Sequence, residues 1–346
     1  MDANLLMILL SSSGFVLVVL GWVRLIVKDK SIDFIDEPVT VVLPFRNEEL
    51  NQSLMLNRLK STKLHSKDHW MFIDDGSSNP WKPDLPEFAS VFSLNDQGGS
   101  KKRALQNAIQ RSETPLIFTT DADCQNQESW ILSMRQACSQ STNMVIGPVL
   151  MQAENSLVSK VAANESLALL AVTIGTAGLK VPLMCSGANL LFRKSAWQDV
   201  GGYSDHINQP SGDDVLLMHS IWLRNSKSVD AQVNPQALVI TEAPLSWGDF
   251  LHQRKRWASK SGHIFHYKKI LMALLTGFWA ISPWFLWAFS WPMFTALMAV
   301  EVIWMYWLTQ FYKWPFRLSS WLVFRLFYPI LFVVLPFVPP GKWKPA

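Results

Sequence analysis

Cysteine is scarce in this chain: three residues in 346, Cys124, Cys138 and Cys185, an odd count with no metal-ligand spacing. That excludes a disulfide-stapled framework and fits reduced, mostly buried thiols in a cytoplasmic domain. Long lysine or arginine runs are missing too, although the net charge is +4 and the pI is near 8.9. The basic balance therefore gives no support to nucleic acid as a partner; it suits an anionic membrane surface or phosphorylated ligands. Internal repeats and low-complexity segments are absent, which excludes solenoids and biased linkers. No positive charge precedes the first apolar stretch. Only Asp2 stands before Leu5, whereas Arg24, Lys28 and Lys30 come at or after the end of the stretch. A cleaved signal peptide has the opposite arrangement.

What is present in quantity is apolar sequence, 49% of residues, concentrated at the two ends. Leu5–Val27 is long enough, at about 1.5 Å per residue, to cross a hydrocarbon core of about 30 Å. It reads as an uncleaved anchor within residues 1–30. The basic residues after it place the N-terminus outside and Asp33 onward in the cytoplasm. Residues 270–346 offer three further stretches, Ile270–Phe289, Pro292–Phe311 and Trp321–Val338, rich in the tryptophan that collects at membrane interfaces. Lys313 and Arg317 put the loop between the last two in the cytoplasm. Lys342 and Lys344 then fall outside against the charge rule, so two spans plus a re-entrant segment stays open. Glu301 and Arg325 sit inside apolar stretches. Either they meet, or they line an acceptor path, or both snorkel to the interfaces.

Residues 36–245 alternate short apolar runs with helical ones. Val39–Leu43, Trp70–Ile73, Ser90–Leu94, Leu116–Thr119 and Met144–Leu150 read as strands; Lys101–Gln110, Trp130–Cys138 and Val215–Leu223 read as helices. Continuously apolar strands between helices indicate a mainly parallel sheet covered on both faces. Acidic pairs follow several strand ends, where open α/β sheets bind ligands.

Four signatures carry the chemistry. Asp74-Asp75-Gly76-Ser77 follows a strand, and the preceding strand ends in Pro44-Phe45-Arg46-Asn47-Glu48-Glu49. Asp121 and Asp123 alternate; in an extended segment both carboxylates face one side and suit a hard divalent cation, the competing reading being a plain acidic turn. Asp213-Asp214 opens a helix; one reading is an N-cap role for one aspartate, the other a functional pair, since two adjacent carboxylates exceed what capping needs and can raise one pKa. Gln253-Arg254-Lys255-Arg256-Trp257 lies in a charged and aromatic stretch, 246–269, expected along a membrane surface. There Gln253 and Trp257 share a helical face, and the competing reading is a helix that only binds lipid head groups. Lys101, at a helix start after Gly98-Gly99-Ser100, either steadies a phosphate or the acidic loop, or is simply solvated.

Taken in this order, the signatures resemble those of membrane-bound family-2 glycosyltransferases with the GT-A fold, including ceramide-glucosyltransferase-like and processive polysaccharide-synthase branches. Ser100 departs from the family's usual glycine. The resemblance implies an α/β Rossmann-like nucleotide-diphospho-sugar domain with one N-terminal and about three C-terminal transmembrane helices, in a bacterial inner membrane. It implies an inverting enzyme that takes Mg2+ or Mn2+, a nucleotide-sugar donor (UDP most often), a lipid or glycan acceptor, and membrane lipids. Donor contacts fall to Pro44, Glu48, Asp74 or Asp75, Lys101 and Asp121, with Asp123 the direct metal ligand beside Asp121. Asp214 is implied as the general base, with Asp213 beside it. Arg256 would bind the leaving diphosphate, while Gln253, Trp257, Gly187 and Asn189 would flank the acceptor. The alternative is an inactive nucleotide-binding scaffold in a membrane glycan-assembly complex.

Overall fold

The computed structural model describes residues 3–28, 36–94, 100–207, 209, 211–258 and 266–334. The elements run α1 (Ala3–Val27), β1 (Val39–Phe45), α2 (Gln52–Ser61), β2 (His69–Asp74), β3 (Ala89–Ser93), α3 (Lys101–Arg111), β4 (Leu116–Thr119) and β5 (Gln125–Asn126). Then follow α4 (Trp130–Arg135), β6 (Met144–Ile146), β7 (Val149–Gln152), α5 (Leu157–Gly178), β8 (Leu190–Arg193), α6 (Lys194–Asp199), α7 (Asp213–Arg224), β9 (Val229–Ala231) and β10 (Val239–Glu242). The chain closes with α8 (Trp247–Ala258), α9 (Tyr267–Phe289), α10 (Trp291–Tyr312) and α11 (Leu318–Val334). These form two compact units. One comprises Lys28–Val149 and Met184–Thr241; the other comprises Met1–Val27, Leu150–Leu183 and Glu242–Ala346.

The first unit is built on a seven-stranded sheet in the order β3-β2-β1-β4-β8-β6-β9. The pairs β1–β2, β1–β4, β2–β3 and β6–β9 are parallel, while β8 runs antiparallel to both its neighbours. Every residue of β1 is buried, as a central strand covered on both faces requires. Val41, Leu43, Trp70, Phe72, Phe118 and Trp130 are among the residues that form its core. The strand order reverses between β1 and β4, the place where doubly wound sheets open a crevice at their strand ends. The sequence reading of a mainly parallel α/β sheet matches this unit. Met144–Leu150, read as one strand, divides into β6 and β7, with Gly147 and Pro148 between them.

The second unit is helical. Among the described residues, α5, Tyr267–Trp287 and α10 are long and apolar enough to cross a membrane; Ser12–Val27 and Leu318–Ile330 are shorter apolar helices. The span expected to reach Val338 extends past the described residues. The sequence placed residues 150–183 inside the α/β domain and gave no helix there. That helix, α5, is buried on nearly every side, and an apolar, small-residue sequence without one polar face carries no helical period to read. Glycines let it cross α1. A Cβ at Gly21 would lie 1.8 Å from the carbonyl oxygen of Gly175, and one at Gly178 would lie 2.1 Å from that of Gly21. Small residues permit such close backbone approach in membrane bundles.

Glu301 and Arg325 meet. Arg325 Nε and Nη2 donate to the two Glu301 carboxylate oxygens, each at 2.8 Å, and both residues are buried. Trp279 Nε1 donates to the same carboxylate at 2.5 Å. Pro283, inside α9, has no N–H for the Trp279 carbonyl; Ser282 Oγ donates to that carbonyl at 2.8 Å and Arg325 at 3.4 Å. The pair joins α10 to α11 and repairs the proline break in α9.

Candidate active site

The ends of β1 and β2 form one linked pair of loops. Asp74 Oδ1 accepts from the Ser77 backbone N–H at 2.8 Å, the ordinary job of an aspartate in a turn. Ser77 Oγ accepts from Asn47 N–H, and Asn47 Oδ1 accepts from Ser78 N–H. Asn47 (φ 52°) and Gly76 (φ 78°) take the left-handed conformation that this tight return requires. Asp75 is held by its backbone to Phe45 and is buried, as is Asp74. Glu48 Oε2 accepts from Asn51 Nδ2 at 2.7 Å, and Pro44 is part of buried β1.

Lys101 brings the next two signatures together. Its ammonium lies 2.5 Å from Asp121 Oδ1 and 3.8 Å from Asp213 Oδ2. Burial pulls its pKa down, but Asp121 and then Asp213 outweigh burial, so the ammonium titrates above its ordinary value. The Lys101 ammonium thus contacts the acidic loop; the preceding Gly98-Gly99 lies outside the described residues. Asp214 accepts from Gly187 N–H at 3.2 Å and from Val215 N–H at 2.7 Å. Gly212 (φ 93°), not an aspartate, occupies the N-cap of α7, and of the two carboxylates Asp214 accepts from a first-turn N–H, that of Val215. A Cβ at Gly187 would stand 3.3 Å from Asp213 Oδ2, so glycine there leaves room for the acidic pair. Tyr203 is buried nearby; burial first, then Asp213 and Asp214, keep its phenol protonated.

Asp123 Oδ2 accepts from Thr241 Oγ1 at 3.1 Å, and Oδ1 faces the Cys124 thiol at 3.6 Å. Ligand atoms of Asp121, Asp123 and Cys124 lie within 4.8 Å of one another. Burial and then the Asp121 charge push the Asp123 carboxyl above its ordinary range. Two oxygen donors whose charges repel at a half-buried position fit a hard divalent cation, which would relieve both effects. Asn189 is fully buried and donates to the Pro148 and Ala237 carbonyls, each at 2.8 Å. Its carboxamide ties β8 to its surroundings.

Gln253, Arg256 and Trp257 belong to α8, in the helical unit. The residue of that signature that is buried is Arg254. It pairs with buried Glu165 of α5, with Nε 2.8 Å from Oε2, and lies 3.9 Å and 4.7 Å from the ring centroids of Phe250 and Trp257. Gln253 Oε1 accepts from Arg254 Nη1. Trp257 also packs against a cluster of Met151, Val158, Ala162, Ala243 and Phe250. Sequence reasoning missed Arg254 and Glu165, because an arginine in a basic helix looks solvated until its partner helix is known. It missed Thr241 and Arg58 for the same reason: both act on the Asp121–Asp123 segment from distant parts of the chain.

Comparison with solved structures gives the mannosyltransferase of Pyrobaculum calidifontis, determined with GDP-Man and Mn2+: 14% identity, 95% of each chain covered, TM-score 0.57. TarS of S. aureus (12% identity, 73% of this chain and 72% of that one) and GalNAc-T7 with UDP, GalNAc and Mn2+ (13%, 61% and 44%) score 0.42 and 0.44. No curated protein matches the chain in sequence. Residues 117–339 match glycosyl transferase family group 2. That region carries the Asp121–Asp123 segment, the Asp213-Asp214 pair and the Gln253–Trp257 signature, and the chain belongs to this family as a glycosyltransferase of the GT-A fold.

Proposed function

We propose that this glycosyltransferase transfers a sugar, with inversion, from a nucleoside-diphosphate donor, UDP by expectation, to a lipid or polysaccharide hydroxyl at the cytoplasmic face of a bacterial inner membrane. The observation that carries the reading is the Lys101 bridge, which gathers Asp121 and the Asp213-Asp214 pair into one acidic centre. Asp75, Glu48 and Pro44 take the base and ribose of the donor, and Asp74 shapes the turn that presents Asp75. Asp121 and Asp123 hold Mg2+ or Mn2+, with Asp123 as the direct ligand; the Mn2+ reported with the mannosyltransferase supports a divalent cation. When bound, that ion neutralises diphosphate charge as a Lewis acid.

Asp214, held by two backbone N–H groups, accepts the proton of the acceptor hydroxyl. The freed oxygen forms its bond to the anomeric carbon from the face opposite the departing nucleoside diphosphate, whose glycosidic C–O bond breaks. Asp213 stands beside the Lys101 ammonium, 3.8 Å from it. On the signature's resemblance, Arg256 takes the leaving diphosphate and Gln253 and Trp257 the acceptor. Gly187 and Asn189 are assigned to the acceptor side, Asn189 by fixing the strand. The ceramide-glucosyltransferase-like and processive branches are the expected relatives. Nothing in the site favours an inactive scaffold, since every assigned carboxylate is present in the sequence.

The test uses membranes carrying the protein and a panel of labelled nucleotide sugars, with lipid-extractable and polymeric products separated. Asp123→Asn should nearly abolish transfer. EDTA should do the same to the unaltered protein, and Mn2+ or Mg2+ should restore it. Full transfer in EDTA refutes the metal assignment.

A further inference from the structure

Arg58, on α2, is a buried cation that the reaction above does not use. Only 3% of it is exposed. Its three guanidinium nitrogens all donate: Nε to Asn126 Oδ1 at 2.7 Å, Nη1 to the Asp121 carbonyl at 2.8 Å, and Nη2 to Thr120 Oγ1 at 2.7 Å. It stands 5.8 Å from the ring centroid of Trp70 and 5.9 Å from that of Trp130, both fully buried. Among the described residues no carboxylate is hydrogen-bonded to it.

An apolar side chain between two tryptophans would avoid the desolvation of a charge. What the guanidinium adds is its rigid fork. The three acceptors lie on both sides of the Asp121–Asp123 turn: Thr120 where the chain enters from β4, Asp121 in the turn itself, and Asn126 where it leaves through β5. Two neighbouring carboxylates repel, so this turn must be held by something other than its own side chains.

We propose that Arg58 is a positioning residue for the metal-binding turn. It fixes the directions of the Asp121 and Asp123 carboxylates through the turn's backbone and flanking side chains, so divalent-cation affinity depends on a residue that touches neither cation nor substrate. The inference rests on the reading of Asp121 and Asp123 as metal ligands.

Charge and geometry predict opposite signs. A buried positive charge near the site repels a cation, so by charge alone its removal would tighten binding. Loss of the fork loosens the ligands and weakens binding. Lysine keeps the charge and loses the fork, which separates the two.

The experiment titrates Mn2+ into the purified full-length chain in detergent and reads free Mn2+ by electron paramagnetic resonance, without nucleotide sugar. Arg58→Lys is expected to bind Mn2+ about ten- to a hundredfold more weakly, the usual effect of losing an outer-shell support, with an unchanged far-UV circular dichroism spectrum. Thr120→Val, near-isosteric and lacking one acceptor, is expected to weaken binding by a smaller factor. Lys60→Met, an exposed change on the same helix, should match the parent. If Arg58→Lys fails to fold, Thr120→Val decides alone. Parent-like affinity in every folded variant at Arg58 and Thr120 overturns the proposal, and so does tighter binding in Arg58→Met beside parent-like affinity in Arg58→Lys. A parent protein that binds no Mn2+ would instead overturn the metal assignment on which the proposal stands.

Discussion

Asp213 and Asp214 are adjacent, yet different groups hold them. Asp213 faces the Lys101 ammonium, whereas Asp214 is oriented by the N–H groups of Gly187 and Val215. A carboxylate oriented by two backbone N–H groups keeps its aim at one position, which suits the base. Asp214→Asn should therefore lower kcat by about 10²–10⁴ while donor KM changes little, because a base acts in the transition state. Initial rates across donor concentrations check this; equal loss in both constants would mark a structural role. Asp123 adds a pH dependence. Its pKa is raised in the fold by burial and then by Asp121, so the folded chain takes up a proton at this site before the unfolded chain does as pH falls. Where the two states differ, ionising Asp123 costs the fold stability as pH rises. A bound cation needs the ionised form and offsets that cost. Thermal melts of the purified chain should thus show a Mn2+-induced rise that grows from mildly acidic to neutral pH. A rise independent of pH contradicts the assignment.

At the scale of elements, α5 carries the most consequence for what the helices can do. It crosses α1 through Gly21, Gly175 and Gly178, and its Glu165 receives Arg254 of α8. Trp22 seals the same crossing: its Nε1 donates to the Ala171 carbonyl at 2.9 Å, and Trp304, Trp307, Phe311 and Tyr312 meet its ring edge-to-face. Gly21→Leu would drive a side chain into the Gly175 backbone, which cannot yield as a flexible side chain would. Overpacking typically costs about 1–3 kcal/mol, and contact with backbone puts this change at or above the top of that range. Detergent-purified Gly21→Leu should melt well below the parent or elute as aggregate. Gly248→Ala is the control, since a Cβ there meets nothing nearer than Ser246 Oγ at 3.6 Å. It should be neutral or slightly stabilising. Equal melting of both variants would remove the crossing from the account.

For the whole molecule the open quantity is sidedness. Arg24, Lys28, Lys30, Lys313 and Arg317 fall on one side if α1, α9, α10 and α11 each cross once, and the positive-inside rule makes that side cytoplasmic. Residues between β6 and β8, α5 included, leave one sheet and return to it, so this stretch crosses an even number of times or not at all. It therefore leaves the orientation unchanged. Reporters fused after Lys30 and at Tyr312 should read as cytoplasmic, and one at Ala346 as external. An external signal after Lys30 refutes the orientation and with it access to a cytoplasmic donor. A cytoplasmic signal at Ala346 alone means an even number of tail crossings and leaves the chemistry standing.

Features local in the chain were legible without the fold: the apolar runs that become strands and long apolar helices, the acidic turns at strand ends, and the order of signatures that marks the family. Each depends on residues a few positions apart, where strand alternation and helical period are legible. The tertiary structure decided what depends on distant partners. It showed that Lys101 reaches Asp121 and Asp213, and that Gly212 rather than an aspartate caps α7. It also showed that Arg325 closes on Glu301, and that Arg254 is the arginine its helix buries. α5 was illegible because a helix covered on nearly every side needs no polar face, and Arg58 because a buried cation is recognised only by the three acceptors folding brings to it. Desolvation and hydrogen-bond satisfaction are properties of the folded surroundings, so no window of sequence contains them.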